Sequence, residues 1–248
     1  MKIDVVTLFP ELVDAVGQHG MVRQAIALGE LELTSRQLRD GATDKRRTVD
    51  DRSYGGGPGM VLRPEPMRAV LDQAKAAQPM GKVIYLSPQG ERLTDAMARR
   101  LAQEPGLILV CGRYEGVDQR VIETAVDLEV SIGDVVLSGG ELPAMVLIDA
   151  VARLLPGVLG HGASAAQDSF AAGLLDHPHY TRPAEDAWGA VPEVLLGGDH
   201  RAIARWRMKQ ALGQTWLRRP DLFQALTLDD EQQGLLAEFV ADQSGNNT

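Results

Sequence analysis

Hydrophobic positions along the first two-thirds of the chain fall by turns into strand-like runs and helical stripes. Residues 2–9 predict a strand, and Pro10 with Glu11 then opens a helix at a position where proline's missing amide proton costs nothing. Residues 31–38 form a second strand candidate. After a glycine cluster (Gly55, Gly56, Gly57, Gly59), a helix over residues 65–77 carries Met67, Val70, Leu71 and Ala74 at helical spacing, so its apolar stripe should face a sheet. Strands over 83–87, 107–111 and the apolar run 132–137 then alternate with helices over 93–103 and 117–125. That alternation predicts an α/β fold with a largely parallel sheet.

Downstream the pattern changes. Residues 142–155 are apolar nearly all round apart from Asp149 and Arg153, which predicts a helix buried in the core or against another subunit. Residues 156–183 have little periodicity and are rich in Gly, Ala and Ser; such a stretch is usually a functional lid or a linker. Helices over 200–213 and 229–242 predict a small C-terminal domain. The expected division is an α/β domain at 1–160, a lid or linker at 161–175 and a helical domain at 176–248.

At 248 residues and 44% hydrophobic content the chain can bury a core without metal or disulfide staples. Its one cysteine, Cys111, has no partner for an internal disulfide, and with five scattered histidines it offers no zinc-ligand spacing, which fits a reducing cytoplasm. No uninterrupted apolar stretch suggests secretion or membrane insertion. The net charge of −9 would argue against a nucleic-acid partner if basic residues were evenly spread. They are not. Arg201, Arg205, Arg207, Lys209, Arg218 and Arg219 fall in a stretch with no acid, interleaved with Trp206 and Trp216, and Arg201, Arg205 and Lys209 share one helix face that could track a phosphate backbone. A second cluster, Lys45, Arg46, Arg47 and Arg52, is diluted by Asp44, Asp50 and Asp51. Together the two clusters point to RNA.

Three apolar runs end in turn-forming segments: Ser87-Pro88-Gln89-Gly90, Gly112-Arg113-Tyr114-Glu115-Gly116 and Ser138-Gly139-Gly140-Glu141-Leu142-Pro143. Ligands of open α/β sheets bind beyond the carboxyl ends of strands, so three such turns in succession favour a small-molecule site. Neither the phosphate-loop pattern nor the dinucleotide glycine fingerprint is present, which disfavours ordinary nucleotide-triphosphate and nicotinamide chemistry.

The words Thr48-Val-Asp-Asp-Arg52, Tyr54-Gly-Gly-Gly-Pro-Gly-Met60, Tyr85-Leu-Ser-Pro-Gln-Gly90, Cys111-Gly-Arg-Tyr-Glu-Gly116, Ser131-Ile-Gly-Asp134, Gly139-Gly-Glu-Leu-Pro143, Asp168-Ser-Phe170, Pro178-His-Tyr-Thr-Arg-Pro183 and Trp216-Leu-Arg-Arg-Pro220 closely resemble the bacterial tRNA (guanine-N1)-methyltransferase family, from the first strand to about Pro220. The resemblance implies a homodimer of the knotted, SPOUT-type superfamily that methylates N1 of guanosine at tRNA position 37 with S-adenosylmethionine, the donor lying in a deep trefoil knot made by the three turns. It implies donor contacts through Tyr85, Leu86, Ser87 and Pro88, through Gly112, Tyr114 and Glu115, and through Ile132, Gly133, Asp134, Val135, Val136, Leu137, Gly139, Gly140 and Pro143. Ser53 stands where the family usually has proline and Val135 where many members have tyrosine.

By the same resemblance Asp168 is the general base for the guanine N1 proton, and Arg153 holds guanine O6, where charge accumulates as that proton leaves. The lid and Asp168 of one subunit would lie over the donor pocket of the other. Read without the family, Asp168 could equally cap a helix opening at Ser169 and Phe170, and Arg153 could pair with Asp149 four residues back. The tRNA contacts expected are Arg201, Arg205, Lys209, Arg218 and Arg219. Glu115 is a candidate to face the sulfonium or to help hold magnesium, which the family uses. His177 and His179 resemble a metal pair, but without a third ligand no metal site is assigned. The competing classes are a non-catalytic RNA-binding module, which needs neither Asp168 nor Arg153, and an enzyme of a small phosphorylated metabolite, which does not need the basic C-terminal segment.

Overall fold

Alternate residues of the central strands pack on opposite faces of one sheet, and both faces are apolar. The computed structural model describes residues 1–160 and 168–245. In it β1 (Lys2–Thr7), β2 (Glu32–Gln37), β5 (Lys82–Arg92), β6 (Gly106–Cys111) and β7 (Leu128–Ser131) form a five-stranded parallel sheet of order β2-β1-β6-β5-β7. Two short strands, β3 (Asp50–Asp51) and β4 (Val61–Leu62), pair antiparallel on either side of the glycine cluster. Leu107, Leu109 and Cys111 join one buried cluster while Ile108 and Val110 join the other. The first cluster is closed by α2 (Gly20–Ala27), α4 (Asp95–Leu101) and α6 (Glu141–Ala152), the second by α3 (Pro64–Ala77) and α5 (Gln119–Ala125). A strand buried on both sides reads as a continuous apolar run, which is why β6 is legible from sequence. A short first helix, α1 (Pro10–Asp14), begins at the expected proline.

Two polar groups are carried into this apolar frame with partners. Asp4, 4% exposed, accepts from Arg36 Nε at 2.5 Å and from the buried Gln78 Nε2 at 2.5 Å, and Gln78 Nε2 also reaches the Leu107 carbonyl at 3.0 Å. Burial without such bonds would cost each group its hydration.

The sheet departs from expectation at two places. β5 continues past its turn: Leu86 and Glu91 both oppose Val130, so Ser87, Pro88, Gln89 and Gly90 loop out between them and the strand resumes to Arg92. Gly90 is required there, because a Cβ would lie 2.4 Å from backbone atoms of Glu129 and Val130. The run 132–137, expected as a strand, is a loop, and the strand is Leu128–Ser131. Ser131 Oγ bonds both the amide and the carbonyl of Gly133 at 3.1 Å, and Gly133 sits at φ +132°, so the chain turns away before the apolar residues begin. Val136 is left 87% exposed.

The chain divides into two compact units, Met1–Gly162 and Ala163–Thr248. Residues 161–167 of the expected lid lie outside the described residues; from Asp168 onward the segment forms turns, and Leu175 N donates to Thr215 Oγ1 at 2.8 Å. The second unit is built on α7 (His200–Arg218), α8 (Pro220–Gln224) and α9 (Asp230–Gly245), with a small hairpin of β8 (Glu185–Asp186) and β9 (Gly189–Ala190). Asp199 caps α7 by accepting from the Arg201 and Ala202 amides, and the helix runs five residues past its expected end, stopping before Pro220.

Gly213 lets α7 and α9 approach closely. A Cβ there would lie 2.4 Å from the ring of Phe239, which is 2% exposed. Gly234, on α9, faces open space. Gly213→Ala should therefore destabilise the second unit by about 1–3 kcal/mol through overpacking, whereas Gly234→Ala should stabilise it by about 0.5–1 kcal/mol through helix propensity. Urea titrations followed by far-UV dichroism test the opposite signs; a stabilising Gly213→Ala would refute the close approach.

Candidate active site

Three loops, the Ser87–Gly90 excursion within β5 and the segments beyond the carboxyl ends of β6 and β7, border a cavity of about 360 Å³. Of the donor contacts expected, Tyr85, Leu86, Ser87, Pro88, Gly112, Tyr114, Glu115, Ile132, Gly133, Val135, Val136, Leu137, Gly139, Gly140 and Pro143 line it. Asp134 does not; it is exposed outside the lining, beyond the turn made by Gly133.

The loops are held by a buried ion pair. Glu141, 1% exposed at the start of α6, accepts from Arg113 Nε at 2.9 Å and from Thr7 Oγ1 at 2.7 Å. Arg113 also donates to the Ser138 carbonyl at 3.2 Å and lies 4.5 Å over the Phe9 ring. This joins the end of β1, the loop after β6 and the loop before α6. Gly140 N donates to the Gly112 carbonyl at 2.9 Å, and a Cβ on Gly140 would lie 2.7 Å from Cys111 Cα. No side chain fits at that contact. Tyr114 adopts φ +60°, and Gly116 at φ +122° closes the turn onto Arg113.

The glycine cluster also borders this site. Glu115 N donates to the Met60 carbonyl and Leu62 N to that of Gly116, both at 2.9 Å, and a Cβ on Gly59 would strike the Glu115 side chain. Within the cluster's loop Ser53 Oγ donates to the Gly56 carbonyl at 3.0 Å, which fastens the turn by a hydrogen bond.

Burial, reinforced by the neighbouring Glu141 charge, pushes the Cys111 thiol well above its ordinary range, so it is no nucleophile at neutral pH. Burial also raises Tyr85, against a hydrogen bond from the Val117 backbone that lowers it, with Glu129 adding to the rise. The lining carries two carboxylates, Glu115 and Glu129, against one cation, Arg113, whose charge is committed to Glu141. The cavity therefore favours a cationic ligand.

Several lining residues were not anticipated from sequence. Arg113 falls inside a recognised word that the resemblance already places at the donor, but its pairing with Glu141 is brought about only by the fold. Glu129 carries no local signal and Ser131 only opens a recognised word; β7 delivers them by pairing beside Tyr85 and Arg92. Gln119 and Ile122 arrive on α5.

Arg153 ends α6, its amide donating to the Asp149 carbonyl at 3.3 Å. Asp168, in the second unit, precedes a turn rather than a helix: its carbonyl accepts from Ala171 N, and Phe170 takes φ +76°. The helix-cap reading is thereby set aside. The basic helix face carries partners that the sequence did not show, because the acidic tail folds back onto it. Arg205 meets Glu238 at 2.6 Å, Lys209 meets Asp242 at 2.6 Å, and Arg219 meets Asp221 at 2.6 Å. Arg201 and Arg218 are exposed and make no ion pair among the described residues. His177 and His179 gain the neighbour that the sequence did not identify. Asp176 lies with them within 4.8 Å, accepting from His179 Nε2 at 2.9 Å and from the His177 amide at 2.7 Å. Partial burial works to raise the Asp176 carboxyl, but these bonds hold it below its usual range.

Among the described residues no helix is long and apolar enough to cross a membrane. The chain is 59% identical over 240 residues to a tRNA (guanine-N(1)-)-methyltransferase of Proteus mirabilis, covering 96% of each chain. It is 58% identical to proteins of the same name from Methylococcus capsulatus, over 96% of each chain, and Aeromonas hydrophila, over 98% of each. Residues 1–225 match the family described as tRNA (Guanine-1)-methyltransferase TrmD, and with relatives this similar along nearly the whole length the chain belongs to that family.

Proposed function

We propose that the protein methylates N1 of guanosine at position 37 of tRNA, immediately 3′ of the anticodon, with S-adenosylmethionine as donor. The observation that carries this reading is the carboxylate-lined cavity at the strand ends of a chain in this family. Its volume, about 360 Å³, falls within the roughly 300–1,000 Å³ typical of cofactor sites. Bound donor supplies a methyl group already activated by a positively charged sulfonium. Glu115 and Glu129 oppose that charge, while Leu86, Val117, Ile122 and Pro143 offer apolar walls for the adenine. The same two carboxylates are the anionic oxygen donors in the lining that a magnesium ion would use. The proposed chain path through the three loops is the deep trefoil knot of the superfamily.

With the methyl already activated, the protein's tasks are alignment and removal of the guanine N1 proton. Asp168 takes that proton. Arg153 holds O6 and strengthens its hydrogen bond as charge develops there. Residues 176–248 serve as the tRNA-binding domain in a cytoplasmic enzyme, with Arg201 and Arg218 the phosphate contacts left unpaired and Arg205, Lys209 and Arg219 available only by exchanging a carboxylate partner.

The proposed assembly is a homodimer. α6 carries two apolar side chains one turn apart that the described residues leave about half exposed, Leu142 at 49% and Val146 at 47%, and Asp149 lies on the same face. Exposed apolar side chains of this kind are stabilised when a second surface covers them.

Asp168→Ala should slow single-turnover methyl transfer by about 10²–10⁴-fold, the usual contribution of a general base, with donor affinity by calorimetry changed no more than a few fold. Unmodified transcripts with guanosine at position 37 should be methylated and those with adenosine there should not. A mutant with near wild-type single-turnover rates would remove Asp168 from the chemistry. Val146→Glu should convert the dimer to monomer in light scattering at unchanged helix content, and a dimer that persists would place the interface elsewhere.

A further inference from the structure

The second unit holds a pocket of about 470 Å³ formed by residues 177–184, the approach to α7 and its first turns. Trp206 lines it, with the His177 and Tyr180 rings each 6.3 Å away and tilted by 59° and 57°. Tyr180 is half exposed. Arg182 and Arg207 stand in the lining, which contains no carboxylate. Both are exposed, and neither makes an ion pair among the described residues. Their surroundings sharpen the point: in a chain of net charge −9, the next cations along α7, Arg205 and Lys209, are already paired with acids of α9. Unneutralised guanidinium groups beside open aromatic rings match a ligand that is both planar and anionic. A bare phosphate would leave the rings without purpose, and a cation would meet two like charges.

We propose that this pocket seats one unstacked nucleotide of the RNA substrate, its base against Tyr180 and Trp206 and its phosphate held by Arg207 and Arg182. The proposal rests on the tRNA reading above and adds a nucleotide-binding site built wholly from residues of the second unit. Stacking on aromatic rings tolerates any base, so the site would contribute affinity and register rather than sequence choice.

The chain has three tryptophans, and replacing Trp188 and Trp216 by Phe leaves Trp206 as the single reporter. Titration of that protein with unmodified tRNA transcript should quench Trp206 emission in parallel with binding, while a free nucleoside monophosphate should do so only at far higher concentration. In the otherwise native chain, Tyr180→Ala should weaken tRNA binding by about tenfold, the loss of one stacked base, and Tyr180→Phe should restore it. Arg207→Ala should reduce the slope of log affinity against log salt by about one counterion. Single-turnover methyl transfer at saturating tRNA and donor affinity should stay as in the parent protein for each. If tRNA binds with unchanged Trp206 emission and Arg207→Ala keeps the parent salt slope, the pocket proposal fails while the tRNA reading stands. If the parent protein binds no tRNA, the reading itself fails. A mononucleotide that binds as tightly as the transcript would overturn the RNA assignment and give the pocket to a free nucleotide.

Discussion

Glu141 ties together the segments that border the strand-end cavity. A carboxylate 1% exposed is tolerable only when it is paired and fully hydrogen-bonded, and Arg113 and Thr7 meet that demand from segments 28 and 134 residues away. Breaking such a pair strands a buried charge at a cost of about 3–5 kcal/mol. The loops after β6 and before α6 are therefore locked against β1 whether or not a ligand is present. Further features follow from this contact. Gly140 must be bare, because the closure brings it onto Cys111. Phe9 finds its place beneath the guanidinium, its amide bonded to the same Thr7 hydroxyl that donates to Glu141. With Arg113 neutralised, Glu115 and Glu129 set the sign of the cavity.

Where local pattern and final environment agree, the sequence was readable. β1, β5 and β6 read as strands because burial on both faces leaves an apolar run, and α3 reads as a helix because its stripe meets the sheet. The run 132–137 misled for the converse reason. Its hydrophobic residues line a ligand cavity or lie exposed rather than filling a core, and the true strand, Leu-Glu-Val-Ser, looks unremarkable until it pairs with Ile84, Tyr85 and Leu86. Motif words supplied most of the cavity lining, since turns announce themselves by glycine and proline. Glu129 and the partnership of Arg113 with Glu141 are tertiary facts, carried by strand order and by contacts over long sequence separation.

The basic segment shows a different limit. A helix face with Arg201, Arg205 and Lys209 and no acid nearby in sequence looks like a phosphate track, but α9 returns Glu238 and Asp242 to that face. Exposed pairs of this kind contribute little to stability, typically below about 1 kcal/mol. Their larger effect is on binding: a phosphate must now displace a carboxylate already in place.

That competition bears on how an acidic protein recognises a polyanion. If every cation on α7 were open, attraction would act on any RNA alike, since phosphate contacts carry no sequence information. Pairing Arg205 and Lys209 removes part of that indiscriminate term and leaves positive charge beside Trp206 and Tyr180, at the nucleotide site proposed above. The first unit reverses the arrangement, spending its only lining arginine on Glu141 and presenting carboxylates instead. The two pockets therefore differ in sign, with carboxylates whose lining cation is paired elsewhere in the first unit and guanidinium groups without a lining carboxylate in the second. Net charge cannot register this division, because the pairing that produces it sums to zero.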